Sequence, residues 1–193
     1  MLGIFLDIET SGLDPKKHTI LELAFKIVDV KTGILHETFT ELVSISKEQW
    51  AQSDKASLQV NGLTWEMVSQ GKPLEEIQSQ VKILFQKHKL IRGQSVFICQ
   101  NPSFDRSFFS QILDIVTQEK MRIPYHWLDL ASMYWAYMLC CEKQFPWNTG
   151  FTKDKIAAQF HLPAEEMPHK AINGVNHLLR CYEALIGFPE ASI

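Results

Sequence analysis

The chain has 193 residues, 46% hydrophobic and 21% charged, with a formal net charge of −3; this is a globular balance, long enough for one sizeable core and read as one domain over 1–193. The slight acidity excludes a protein that coats nucleic acid through bulk positive charge. No apolar run approaches the roughly 20 residues of a membrane span, and the N-terminus lacks the basic start and cleavage site of a signal peptide. A cytoplasmic protein with no membrane partner is therefore expected. Cys99, Cys140, Cys141 and Cys181 fit that compartment as buried thiols, because the vicinal pair has no second close pair to complete a zinc pattern.

The first predicted element runs from Met1 into Phe5-Leu6-Asp7-Ile8-Glu9-Thr10. Apolar residues on both faces predict a central, buried strand. Asp7 and Glu9, two residues apart, project from the same face of such a strand. Two carboxylates held together repel, and a hard divalent cation relieves the repulsion; Mg²⁺ and Mn²⁺ suit oxygen ligands and handle phosphate esters. Acids at the tip of a central strand also lie where open α/β sheets place ligands. Read blandly, the pair is a solvated strand end.

Thr19 to Val30 reads as a second strand, Lys31-Thr32-Gly33 as a turn and Ile34 to Val43 as a third strand, together an antiparallel meander. Helices are expected over Ser53 to Val60 and Leu74 to Lys87, punctuated by Gly62 and by Gly71-Lys72-Pro73. Ser95 to Cys99 follows as a short strand, then a helix from Pro102 to Lys120, a strand at Trp127 to Leu130, and a helix from Ala131 to Cys141. A loop to Thr152 precedes helices over Lys153 to Phe160 and Ala171 to Ile186. Helices covering the faces of a mixed sheet are the α/β solution. Local basic groups, Lys16-Lys17-His18, Lys87-His88-Lys89 with Arg92, and Lys120 with Arg122, read either as phosphate-contacting rims or as solvated faces.

Two later segments join the first. Asn101 is placed to cap the Pro102 helix, with Pro102 at its first position. The helix carries the apolar stripe Phe104, Phe108, Phe109, Ile112, Leu113 and Val116, and Asp105 in its first turn. An acid there stabilises the helix dipole by about 0.3–1 kcal/mol whatever else it does; it joins Asp7 only if its strand neighbours the first. His169, in Met167-Pro168-His169-Lys170-Ala171, lies at or just before the start of the last helix, where a neutral imidazole is favoured. His161 and His177 have no comparable context.

Asp7-Ile8-Glu9-Thr10 with its trailing Ser11-Gly12-Leu13-Asp14-Pro15, Asn101 to Asp105, and His169-Lys170-Ala171 occur in the order and spacing of the DEDDh exonucleases. From Leu2 to Gly187 the chain resembles that family, which includes the epsilon proofreading subunit of bacterial DNA polymerase III and stand-alone relatives. The resemblance implies a ribonuclease H-like fold with a five-stranded mixed sheet flanked by helices. It also implies removal of nucleotides from DNA or RNA 3′ ends as 5′-monophosphates. Asp7 would bridge two metal ions, Glu9 would hold one, Asp105 would act directly or through water, and His169 would be the general base. The backbone around Thr10 and the side chain of Leu13 would meet the terminal nucleotide. A DNA polymerase is an implied partner. Leu13 read blandly is simple packing; Phe104 and Trp65 could stack on bases, but core placement is the commoner role of both.

One position departs. The family carries a fourth acid five residues after the histidine, and here that residue is Gly174. The ion shared with Glu9 then loses a negative ligand and is expected to bind more weakly. Three readings stay open: water and substrate phosphate fill the place, a neighbour substitutes, or the protein binds nucleic acid or a polymerase without cutting. Asn173 is the nearest substitute, although one helical position turns a side chain by about 100°.

Overall fold

Strand β1 (Leu2–Thr10) lies in the middle of a five-stranded sheet of order β3-β2-β1-β4-β5. The structure, a computed structural model, describes residues 1–190. β2 (Ile20–Asp29) and β3 (Leu35–Leu42) extend β1 as the expected antiparallel meander. β4 (Ser95–Cys99) pairs with β1 in parallel, and β5 (Trp127–Asp129) pairs with β4 in parallel. The sheet is therefore mixed, as expected, and β4 is the direct neighbour of β1.

Side-chain alternation along β1 divides the core between two layers. Ile4, Leu6 and Ile8 face one layer with Phe85, Phe108 and Phe109. Phe5 faces the other, with Tyr134, Ile156, Val175 and Leu178. The first layer is covered by α4 (Leu74–Lys87) and α5 (Pro102–Ile112), the second by α7 (Leu130–Tyr137), α8 (Lys153–Gln159) and α9 (Ala171–Leu185). Asp7 and Glu9 share the parity of Phe5, so they emerge on the α9 side.

Several expectations are corrected. The segment between β3 and α4 holds three short helices, α1 (Lys47–Ala51), α2 (Lys55–Asn61) and α3 (Trp65–Val68), where one was expected. The Pro102–Lys120 helix is broken at Leu113, because Asp114 accepts a hydrogen bond from the Thr117 N–H and caps a new helix, α6 (Ile115–Lys120). Val116, past that break, is exposed rather than part of the buried stripe. Asn101 precedes α5 in the left-handed conformation (φ 56°) and makes no side-chain cap; its N–H donates to Asp129 Oδ1 at 3.1 Å instead. Past α7 a wide turn runs from Met138 to Glu142, and Cys140 and Cys141 on it are exposed, whereas Cys99 and Cys181 are buried. The basic groups are partly neutralised by their own acids: Lys17 by Asp14, Lys87 and His88 by Glu37, and Arg92 by Glu119. Among the described residues no helix is long and apolar enough to cross a membrane.

Candidate active site

Asp7 and Glu9 occupy the C-terminal half of β1, and Asp105 lies in the first turn of α5, directly after β4. Because β4 is the neighbour of β1, the chain reversal from β4 into α5 brings Asp105 to the same end of the sheet, where it is 3% exposed. Burial and the charge of Asp7 push the Asp105 carboxyl well above its usual range. Burial and the same neighbour push Glu9 up to about 8. Burial also raises Asp7, against the attraction of Lys153. Burial and mutual repulsion outweigh the one ammonium beside these acids, which is how carboxyls are held protonated.

His169 lies in the loop before α9. Its N–H donates to Val60 O at 3.2 Å, tying the loop to α2. Its Nδ1 lies 3.0 Å from Glu165 Oε1. The other Glu165 oxygen lies 3.0 Å from Lys153 Nζ and 3.6 Å from His177 Nδ1. Burial alone would raise Glu165, but the nearby His177 and the charge and close contact of Lys153, with the His169 hydrogen bond, outweigh it and hold the carboxyl at about 2. Lys153 Nζ also reaches Asp7 Oδ1 at 3.3 Å. A continuous polar chain therefore runs His169–Glu165–Lys153–Asp7.

Glu165, Lys153, His177 and Glu22 are missing from the sequence-derived set. Glu165 has a local signal, an acid four residues before His169. Lys153 has none, since it looks like an ordinary residue at a helix start. Glu22, buried on β2 and paired in register with Glu9, accepts the Ala171 N–H at 2.9 Å. It thereby caps α9, whose own N-cap residue Lys170 offers no side-chain acceptor.

Gly174 faces Asp7. A Cβ there would lie 2.6 Å from Asp7 Cγ and 3.0 Å from Lys153 Nζ, overlapping the carboxylate. Asn173 lines a small polar cavity with Glu165, Asn176, His177 and Arg180, and Glu165 is an acid on this side of Asp7, across the Lys153 ammonium.

Beside the acids opens a cleft of about 340 Å³ lined by Glu9, Thr10, Leu13, Val60, Asn61 and Phe104, among others. The turn that presents Leu13 is rigidly held. Thr10 Oγ1 donates to Gly12 O, Asn61 Nδ2 to Thr10 O, and Gln111 Nε2 to both Pro15 O and His18 O. Leu13 is 73% exposed, so it is not a packing residue. Phe104 is half-buried on the cleft wall, whereas Trp65 packs near Trp50, away from the cleft.

The acids suit a hard divalent cation in their chemistry, being oxygen donors that are buried together and short of positive charge. Among the described residues no three Asp, Glu, His or Cys side chains form a ready-made metal cage, and Asp7 is turned toward Lys153. On the α9 side Asp7 faces Gly174, and the Lys153 ammonium lies between Asp7 and Glu165.

A family model described as exonuclease (RNase_T) matches residues 4–176. The chain is 31% identical over 133 residues to an oligoribonuclease of Corynebacterium glutamicum, an alignment covering 67% of this chain and 59% of that protein. It is 25% identical over 139 residues to a ribonuclease T of Marinobacter nauticus, covering 68% of this chain and 62% of that one. The fold matches the zinc-bound complex of E. coli exonuclease I with single-stranded DNA (TM-score 0.78, 14% identity, 96% of this chain and 40% of that one). It also matches the nuclease domain of 3′hExo, a DEDDh family member bound to rAMP (TM-score 0.71, 14% identity, 100% of this chain and 95% of that one).

Proposed function

The chain belongs to the RNase_T exonuclease family, and we propose on that footing that it hydrolyses the terminal phosphodiester at nucleic-acid 3′ ends, releasing nucleoside 5′-monophosphates. The observation that carries the proposal is the meeting of Asp7, Glu9 and Asp105 with a carboxylate-oriented histidine at the edge of an open cleft. The reading treats 1–193 as one exonuclease domain.

Asp7, Glu9 and Asp105 would hold the cation, Mg²⁺ or Mn²⁺. When bound, it stabilises the phosphoryl oxygens as a Lewis acid and acidifies water. Glu165, ionised, accepts a hydrogen bond from His169 Nδ1–H and so fixes the tautomer that leaves Nε2 free to accept a proton. His169 then acts as general base toward the attacking water. Leu13 and Phe104 offer apolar surface to the terminal base and its neighbour, and the backbone around Thr10 meets the terminal nucleotide. The attacking water's oxygen forms the new P–O bond, the 3′-oxygen of the penultimate nucleotide leaves and takes up a proton from solvent to become a hydroxyl, and the proton taken by His169 returns to solvent.

The names of the relatives, oligoribonuclease and ribonuclease T, favour RNA, and short RNA in particular, as substrate. The alternative, a non-cutting module that binds 3′ ends or a polymerase, draws on one observation, the absence of an acid on α9 facing Asp7.

The test is purified protein on 5′-labelled RNA and DNA, from dinucleotides to 20-mers, with Mg²⁺ and Mn²⁺ titrated separately and Asp7→Ala in parallel. Shortening from the 3′ end in wild type alone supports the exonuclease. Intact substrate at every metal concentration, with a folded protein, overturns it in favour of the binding module.

A further inference from the structure

Lys153 is the buried charged group that the hydrolysis described above leaves without a task. It is the first residue of α8, where the helix dipole disfavours a cation. Its side chain is only 14% exposed, and taking an ammonium out of water is costly unless it is paired. Both disadvantages are accepted to put Nζ between Asp7 Oδ1 at 3.3 Å and Glu165 Oε2 at 3.0 Å. Gly174 is what makes room: any side chain there would collide with the Asp7 carboxylate and press on the ammonium.

We infer that the Lys153 ammonium stands permanently in one of the two cation places expected beside Asp7, so that this site takes a single divalent ion. The inference rests on the reading of Asp7, Glu9 and Asp105 as metal ligands. A divalent ion binds carboxylate oxygens at about 2.0–2.6 Å. A second ion on the α9 side of Asp7 would therefore have to expel the ammonium, would meet Gly174 in place of an acid on the facing turn of α9, and would leave Glu165 without its lysine. A lysine is a compact point charge. Fixed in a water-poor site, it attracts the negative charge that develops on a phosphoryl group without any ion having to be recruited. The missing acid and the buried lysine are thus two halves of one substitution: an anionic ligand with its metal is exchanged for a tethered cation.

The experiment counts Mn²⁺ bound to the whole chain by electron paramagnetic resonance, in wild type, Asp7→Ala and the double variant Lys153→Met/Gly174→Asp. The expected result is one Mn²⁺ per wild-type chain, lost in Asp7→Ala, with an uncoupled spectrum. The folded double variant is expected to bind two, with the spectrum of a spin-coupled pair. Two Asp7-dependent ions or a coupled pair in wild type overturns the inference, as does a folded double variant that still binds one, or a wild type with no Asp7-dependent ion. The wild-type count decides even if the double variant fails to fold. The function proposed above fails separately: a single bound Mn²⁺ without hydrolysis removes the exonuclease and leaves the lysine's role intact, whereas hydrolysis with two bound ions does the reverse.

Discussion

His169 Nδ1 lies 3.0 Å from Glu165 Oε1, four residues earlier in the loop that joins α8 to α9. The pairing turns a loop histidine into an oriented one, because the carboxylate itself is anchored by Lys153 and His177. Glu165→Gln keeps the shape and removes the charge. Turnover is expected to fall about 10–100-fold, the usual effect of losing a carboxylate that orients a histidine. Steady-state rates at fixed Mg²⁺ check this, and an unchanged kcat removes Glu165 from the site.

The same residue sets an acid limit on stability. Its folded pKa of about 2 lies below the ordinary glutamate value of 4.5. The unfolded chain therefore takes up the proton first, so the stabilisation is complete above about 4.5 and is lost as pH falls from there toward 2. Thermal melts of wild type and Glu165→Gln are expected to converge over that range and to separate above it.

Glu9 works in the opposite sense. Its folded pKa of about 8 lies above the ordinary 4.5, so the folded, metal-free protein keeps a proton that the unfolded chain has released. The contribution is fully present below about 4.5 and is lost as pH rises through 8. Metal-free wild type is expected to lose melting temperature from pH 5 to pH 8, and Glu9→Gln to flatten that slope. Mn²⁺ competes with this proton, so its affinity is expected to rise with pH up to about 8.

Introducing an acid opposite Asp7 by Gly174→Asp alone is expected to harm the protein. The new Cβ overlaps the Asp7 carboxylate, and forcing extra atoms into a packed site costs about 1–3 kcal/mol. A melting temperature below wild type and lower activity are the expected results. An active, equally stable variant would show that Asp7 and Lys153 move aside freely.

Leu13 separates binding from folding. It is 73% exposed at the mouth of the cleft, so Leu13→Ala is expected to change stability by no more than about 0.5 kcal/mol. The same variant is expected to raise KM for short oligonucleotides several-fold. Phe104→Ala, on the opposite wall, raises KM too but also loses packing against Phe108.

Alternation in the chain was enough to predict β1 as the central strand with Asp7 and Glu9 on one face, whereas Asp105 and His169 were singled out, and Gly174 noticed, only through the resemblance to the DEDDh exonucleases. Strand alternation, helix-start residues and motif spacing are short-range properties, so they survive in a linear reading. The same short-range view joined α5 to α6, because the competing cap at Asp114 is only a few residues long, and assigned Asn101 a capping role its left-handed backbone does not allow. Only the tertiary structure decided what surrounds the acids. Glu165 and Lys153 join the site because α8 and the following loop pack over the end of β1, with Lys153 and Asp7 146 residues apart in sequence. Glu22 caps α9 across 149 residues. Whether a missing acid leaves a hole or admits a lysine depends on the space between elements distant in the chain, and no periodicity or spacing along one segment records that space.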